Sequence, residues 1–128
     1  MISPALPARL SRKPFPLVLA LVSVVLQCVG LYSPGGSTPI VLPIPHLDKI
    51  VHVGLFAVPV FLLLWAGVRH RVVLPLAALQ VLASELIQAR WVPNRTGDWQ
   101  DALADLIGIG LGVLAAWWFR RAQTSLRR

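Results

Sequence analysis

The sequence predicts an all-α integral membrane bundle of four transmembrane helices, with both termini in the cytoplasm. Its 128 residues are 56% hydrophobic, against about 45–50% in soluble domains. The mean hydropathy is +0.71. Four apolar stretches approach the roughly 20 residues that a membrane-crossing helix needs. The charged residues, 13% of the chain, gather in short clusters between these stretches, which is the pattern of membrane topology signals.

The four predicted spans follow one another with no water-soluble domain between them. Basic residues precede the first span, as they precede the apolar part of a signal peptide. No small-x-small cleavage site follows it, so we expect a retained helix. The predicted spans cover residues 16–32, 47–68, 72–89 and 99–119. The chain therefore divides into a basic N-terminal segment at 1–15, a four-helix domain at 16–119 and a basic tail at 120–128.

Charge clusters predict which helix ends face the cytoplasm. One side of the bundle has nine basic residues and no acid: Arg9, Arg12, Lys13, Arg69, Arg71, Arg120, Arg121, Arg127 and Arg128. The other side has three basic residues and all five acids of the chain. By the positive-inside rule the basic side is cytoplasmic. The net charge of +7 forms no basic face with base-stacking residues, which argues against nucleic-acid binding.

Three of the predicted spans carry an ionisable residue at the same depth. At 1.5 Å per residue, His52 lies about 6–8 Å inside the start of the second span. Glu85 lies about 7–9 Å inside the end of the third, and Asp105 about 9 Å below Trp99. A charged group that faces lipid is costly, so these side chains should point inward and meet.

Helical spacing supports this convergence. Residues three or four positions apart share a helix face, as do Asp48 with His52 and Glu85 with Gln88. A third face carries acids above and glycines below, where Gly-x-x-x-Gly lets a neighbouring backbone approach closely. Its members are Asp98, Asp101, Asp105, Gly108 and Gly112. The short loop from Trp91 to Gly97 would hold Arg95 over the cluster.

These residues resemble the VanZ-like family of small bacterial membrane proteins. The resemblance covers 48–112, about half the chain and three of its four helices. It lies in Asp48-Lys49-x-x-His52, then Glu85-x-x-Gln88, then Arg95-x-Gly97-Asp98-x-x-Asp101 with Asp105 and a glycine-rich helix. At Asp105 the chain departs from the family, which commonly has Asn near this position. The resemblance implies a cell-envelope protein of the bacterial cytoplasmic membrane, in a family named for a member linked to teicoplanin resistance.

Several roles remain open for these residues. Lys49 can anchor its helix at the interface, or bind an anionic headgroup. Arg95 can bind a phosphate with two hydrogen bonds, or form a salt bridge to Asp98 or Glu85. His52 and Glu85 can exchange a proton, or form a hydrogen-bonded tie between helices. We expect no metal and no cofactor, because no second histidine stands at a metal-binding spacing.

Three function classes follow. The first is an envelope protein whose extracytoplasmic polar pocket binds or modifies an anionic lipid-linked or cell-wall molecule. The second is a non-enzymatic scaffold or partner subunit, and the third a small transporter. The partners are the lipid bilayer and a lipid-linked cell-wall precursor, and nothing specifies an oligomeric state. The candidate catalytic residues are His52, Glu85, Asp101 and Asp105. The candidate substrate-binding residues are Lys49, Arg95, Asp48, Gln88 and Asp98.

Overall fold

A computed structural model describes residues 14–34 and 46–126 as four consecutive helices. They are α1 (Pro14–Tyr32), α2 (Leu47–Trp65), α3 (His70–Trp91) and α4 (Trp99–Ser125). Each is long and apolar enough to cross a membrane, and the described residues contain no strand. The predicted all-α fold with four membrane-spanning helices is confirmed. Some residues of the predicted topology lie outside the described residues: Arg9, Arg12, Lys13, Arg127 and Arg128, and Gly35, Gly36 and Ser37 in the predicted turn after the first span.

Helix α2 ends at Trp65, three residues before the predicted end of the second span. The cause is Gly67, whose φ of 90° is a conformation that favours glycine. The Gly67 N–H donates to the Leu64 carbonyl at 3.1 Å, and the Val68 N–H donates to the Leu63 carbonyl at 3.0 Å. These two bonds form the Schellman motif that closes many helices. Hydropathy alone did not predict that α2 ends at Trp65.

The other helices are longer than their apolar stretches. Helix α3 begins at His70, two residues before the predicted third span, and α4 continues past Phe119 to Ser125. Backbone hydrogen bonding does not require apolar side chains, so a helix can continue into polar sequence. On the extra turns of α4, the Arg121 guanidinium lies 3.8 Å from the Trp117 ring centroid, in a stabilising cation–π contact.

Helices α2 and α4 form the centre of the bundle because two glycines let their backbones approach closely. A Cβ atom at Gly108 would collide with the Val53 carbonyl oxygen, and one at Gly112 would lie 2.6 Å from the Ala57 carbonyl oxygen. Both glycines are buried. The close approach predicted from Gly-x-x-x-Gly is confirmed.

The outer surface of the bundle is apolar. Exposed leucines and valines run along all four helices, among them Leu21 and Val25 on α1 and Leu79 and Leu82 on α3. This surface suits a lipid environment, in which apolar side chains face hydrocarbon. The length of the helices and their apolar outer surface together indicate a multi-pass membrane protein.

The two ends of the bundle differ in chemistry. At one end Phe61, Trp65 and Phe119 form an aromatic cluster, with ring centroids 5.4–6.0 Å apart. Beside it the Arg120 guanidinium donates to the Leu64 carbonyl at 2.6 Å. The opposite end holds the acidic residues and the start of α4. We call this opposite end the polar end.

Candidate functional site

Lys49 is the centre of an ionic cluster at the polar end, on the seam between α2 and α4. Its ammonium donates to Asp98 Oδ2 at 3.0 Å and contacts Asp48 Oδ2 at 3.0 Å. A third, short hydrogen bond goes to Asp101 Oδ1. Three carboxylates therefore surround one ammonium group whose side chain is 21% exposed. This geometry commits Lys49 to holding α2 and α4 together.

One turn deeper, His52 and Asp105 form a buried pair across the same seam. His52 Nδ1 lies 2.8 Å from Asp105 Oδ1, and the two side chains are 5% and 0% exposed. On the other side of the ring, His52 Nε2 lies 3.7 Å from Asp101 Oδ2, which is longer than a hydrogen bond. The second carboxylate oxygen of Asp105 is buried and has no partner in the described part of the chain.

The start of α4 explains why the acids lie at this position. Asp98 is the N-cap residue, and its side chain accepts a hydrogen bond from the Gln100 backbone N–H at 3.0 Å. Such a cap satisfies one of the backbone donors that every helix start leaves unpaired. This hydrogen bond, together with the Lys49 ammonium, holds the pKa of the Asp98 carboxyl below its usual range.

Glu85 on α3 binds the same helix start from the other side. Its Oε2 atom accepts a hydrogen bond from the Asp98 backbone N–H at 2.8 Å. Gly97 makes this approach possible, since a Cβ atom there would lie 3.1 Å from both the Glu85 carbonyl oxygen and the Ala89 Cβ. The other carboxylate oxygen of Glu85, Oε1, is buried and has no partner among the described residues.

A tight turn after α3 positions Arg95. The Arg95 N–H donates to the Val92 carbonyl at 3.3 Å, and Asn94 has a φ of 59°. Pro93 followed by Asn94 favours such a turn, because proline presets its own φ and asparagine tolerates positive φ. The guanidinium then donates to the Gly30 carbonyl of α1 at 3.2 Å. Within the described residues this is the only hydrogen bond of that side chain.

Three polar residues of α3 complete the interior. Gln88 is buried and donates to the Leu31 carbonyl at 2.8 Å, and Gln80 donates to the Tyr32 hydroxyl at 3.0 Å. The hydroxyl of buried Ser84 donates to the Val81 carbonyl of its own helix at 2.9 Å. The bonds from Gln80 and Gln88 tie the end of α1 to α3. The bond between Gln80 and Tyr32 was not predictable from spacing along one helix, because the two residues lie on different helices.

Most of the predicted site residues lie together at the polar end, but several of them have partners other than the predicted ones. Asp48 does not share the inward face with His52, because its side chain is 63% exposed and pairs with Lys49 at the rim. His52 pairs with Asp105 rather than with Glu85. Arg95 forms no salt bridge to a described acid and donates instead to the Gly30 carbonyl of α1.

The arrangement supports proton transfer more readily than nucleophilic or metal chemistry. A carboxylate that orients one imidazole nitrogen leaves the other nitrogen to exchange a proton, and His52 has this environment. Ser84, the nearest hydroxyl in sequence to Glu85, is bonded to its own helix. Among the described residues, no group of three or more histidine, cysteine, aspartate or glutamate side chains is arranged to hold a metal ion.

No family model, curated protein or solved structure matches the chain.

Proposed function

We propose that this chain is a VanZ-like cell-envelope protein of the bacterial cytoplasmic membrane. In this proposal the polar end faces outward and binds or modifies an anionic lipid-linked or cell-wall molecule. Binding of this kind would alter susceptibility to teicoplanin-type glycopeptides, which act on the cell wall.

The observation that carries the proposal is the unused hydrogen-bonding capacity of Arg95. A guanidinium has five N–H donors and binds phosphate or carboxylate with two parallel hydrogen bonds. In the described part of the chain, Arg95 donates only to the Gly30 carbonyl, while Lys49 is surrounded by carboxylates. Arg95 therefore keeps free donors for an anion and is held in place by its bond to the Gly30 carbonyl, whereas no described residue holds the exposed Arg90 in this way. His52 and Asp105 supply a proton-exchanging pair for a ligand held nearby.

The test compares two arginines of the same region. Arg95→Ala removes the proposed anion-binding group, and Arg90→Ala serves as the matched control because Arg90 is exposed on α3. Envelope lipids and cell-wall precursors would be profiled in cells with the wild type, each variant or no protein. Glycopeptide susceptibility would be measured in the same strains. We expect Arg95→Ala to resemble the deletion and Arg90→Ala to resemble the wild type.

Normal accumulation of Arg95→Ala in the membrane is the required control, because a lost helix contact can also lower abundance. An Arg95→Ala strain with wild-type lipid profile and wild-type susceptibility would contradict the proposal. Arg95→Lys refines the comparison, since lysine keeps the positive charge but cannot form the two parallel hydrogen bonds of a guanidinium. Partial function with lysine would indicate that charge contributes separately from geometry.

A scaffold function is the second candidate, and one observation favours it. The Glu85 carboxylate accepts a hydrogen bond from the Asp98 N–H, so part of the polar network connects α3 to the start of α4. In that case the network only holds the helices in place for a partner subunit. Glu85→Gln separates the two functions, because glutamine keeps the acceptor and removes the charge.

A further inference from the structure

A groove of about 310 Å³ lies between α1 and α3, with α2 as its floor. Its volume is at the lower end of the roughly 300–1,000 Å³ typical of ligand sites. The lining is apolar apart from the Cys28 thiol and the amides of Gln27 and Gln80. Neither the ionic cluster around Lys49 nor the pair of His52 and Asp105 contributes to it.

The groove exists because α1 and α3 are tied together only near one end. The described side-chain hydrogen bonds between the two helices run from Gln80 to the Tyr32 hydroxyl and from Gln88 to the Leu31 carbonyl, both at the end of α1. Toward the start of α3 no such bond joins the two helices in the described part of the chain. There the α3 wall includes the small side chain of Ala77, which leaves room for an occupant.

Gln27 is the observation that points to a ligand. The residue is only 6% exposed and it lines the groove. No described residue hydrogen-bonds its amide, although buried amides normally have partners. The amide offers two N–H donors and one acceptor. An occupant with a hydrogen-bond acceptor near one end of an apolar chain would satisfy it.

Gln27 and Gln80 lie toward the end of the groove that is nearer to Arg95, although Arg95 is not itself part of the lining. Gly30, whose carbonyl accepts the Arg95 hydrogen bond, is three residues beyond Gln27. That spacing is about 4.5 Å along the helix axis. An anionic group bound to the free guanidinium donors would therefore lie less than one helical turn from the Gln27 amide, on the side of the polar end. The carboxylates around Lys49 lie on the α2–α4 seam, whereas Arg95 reaches toward α1.

We propose that this groove holds one ester-linked acyl chain of an anionic glycerophospholipid. The phosphate binds Arg95, the ester carbonyl accepts a hydrogen bond from Gln27, and the hydrocarbon chain occupies the apolar groove. In such a lipid the glycerol unit separates phosphate from ester carbonyl by a few bonds, which matches the spacing along α1. An isoprenoid phosphate has no ester carbonyl and would leave the Gln27 amide unpartnered. This inference rests on the proposed function for its use of Arg95.

The test uses pairs of lipids that differ only in the linkage. The full chain in detergent micelles would be titrated with phosphatidylglycerol carrying either ester-linked or ether-linked chains, and bound lipid counted by native mass spectrometry. We expect the wild type to bind the ester lipid about three- to tenfold more tightly, which is the value of one net hydrogen bond. Gln27→Leu should remove this difference while leaving the ether lipid's affinity unchanged.

Two alanines of α3 test the groove itself. Ala77→Phe fills the groove and should weaken binding of both lipids by at least tenfold, whereas Ala78→Phe is the control because Ala78 is exposed. Thermal unfolding of each variant checks that it is folded. If Ala77→Phe fails to fold, the ester-to-ether comparison on the wild type and Gln27→Leu decides the proposal.

The contrary outcomes are distinct. Equal wild-type affinity for ester and ether lipids would overturn the role of Gln27. Tighter binding of a polyprenyl phosphate than of the ester lipid would assign the groove to an isoprenoid chain instead. If Arg95→Ala lowers affinity and Ala77→Phe does not, the groove proposal fails and the proposed function stands. If the Gln27 effect persists and Arg95→Ala changes nothing, the anion-binding role fails and the groove stands.

Discussion

Asp105 of α4 orients the imidazole of His52 on α2 through a 2.8 Å contact at Nδ1, with both side chains buried in the seam between the two helices. The pair is held from above by the ionic cluster of Lys49 and from below by the close approach at Gly108. Polar convergence and backbone approach therefore support each other. The predictions that follow separate these contributions.

Loss of the Asp105 side chain should destabilise the bundle more than loss of its charge. Asp105→Asn keeps an acceptor for His52 and should be tolerated in folding, whereas Asp105→Leu leaves a buried imidazole N–H unpaired, at a cost of about 1–3 kcal/mol. Unfolding free energies in detergent would measure this. The double variant with His52→Leu should be less destabilised than the sum of the single variants. Strict additivity would contradict an energetic coupling of the pair.

Glycine substitutions on α4 should have position-dependent effects. Gly108→Ala places a methyl group against the Val53 carbonyl, so we expect about 1–3 kcal/mol of destabilisation from overpacking. Gly110→Ala is the matched control, because a Cβ atom there has nothing within 4 Å. It should be neutral or stabilising by up to about 1 kcal/mol, since alanine favours helix more than glycine does. Equal effects at both positions would mean that the seam adjusts freely.

Glu85→Gln should leave the fold intact and abolish function. The amide oxygen of glutamine can still accept the Asp98 N–H bond that caps α4, so thermal stability should change by less than about 1 kcal/mol. Glutamine cannot take up or release a proton as the Glu85 carboxylate can, so proton exchange should be lost. Envelope-stress and glycopeptide-susceptibility assays would report the loss. A fully active Glu85→Gln protein would favour the scaffold function.

Membrane orientation is testable with single cysteines in a Cys28→Ala background. Asn94 is exposed at the polar end and Thr124 is exposed at the opposite end of α4. We expect an impermeant thiol reagent to label Asn94→Cys on intact cells, and Thr124→Cys only after lysis. Gly35, between the first two predicted spans, is expected to face outward as well, but it lies outside the described residues. The reverse labelling pattern would place the polar site in the cytoplasm.

Much of the fold was predictable because hydropathy is a local property. A run of about 20 apolar residues has to be a helix in lipid, where each backbone N–H and C=O needs a partner within the span. The helix ends were less predictable. The stop at Gly67 depends on backbone conformation, and the continuation of α4 to Ser125 depends on hydrogen bonds that polar side chains do not interrupt.

The site was predictable as a set of residues but not as a set of pairs. Their common depth follows from counting residues along a helix, and the cost of a lipid-facing charge predicts that they meet. Helix spacing did not predict that Lys49, rather than Asp48, joins the inward face. It also did not predict that Glu85 binds a backbone N–H instead of His52.

The sequence by itself determined the four membrane-spanning helices, the gathering of all five acids at one end and the close approach at Gly108 and Gly112. Each of these follows from spacing along one helix or from the polarity of one segment. The tertiary structure decided the pairing of His52 with Asp105, the reach of Arg95 to Gly30 and the groove beside Gln27. Such contacts depend on how each helix is rotated against its neighbours, and packing across the whole bundle sets that rotation.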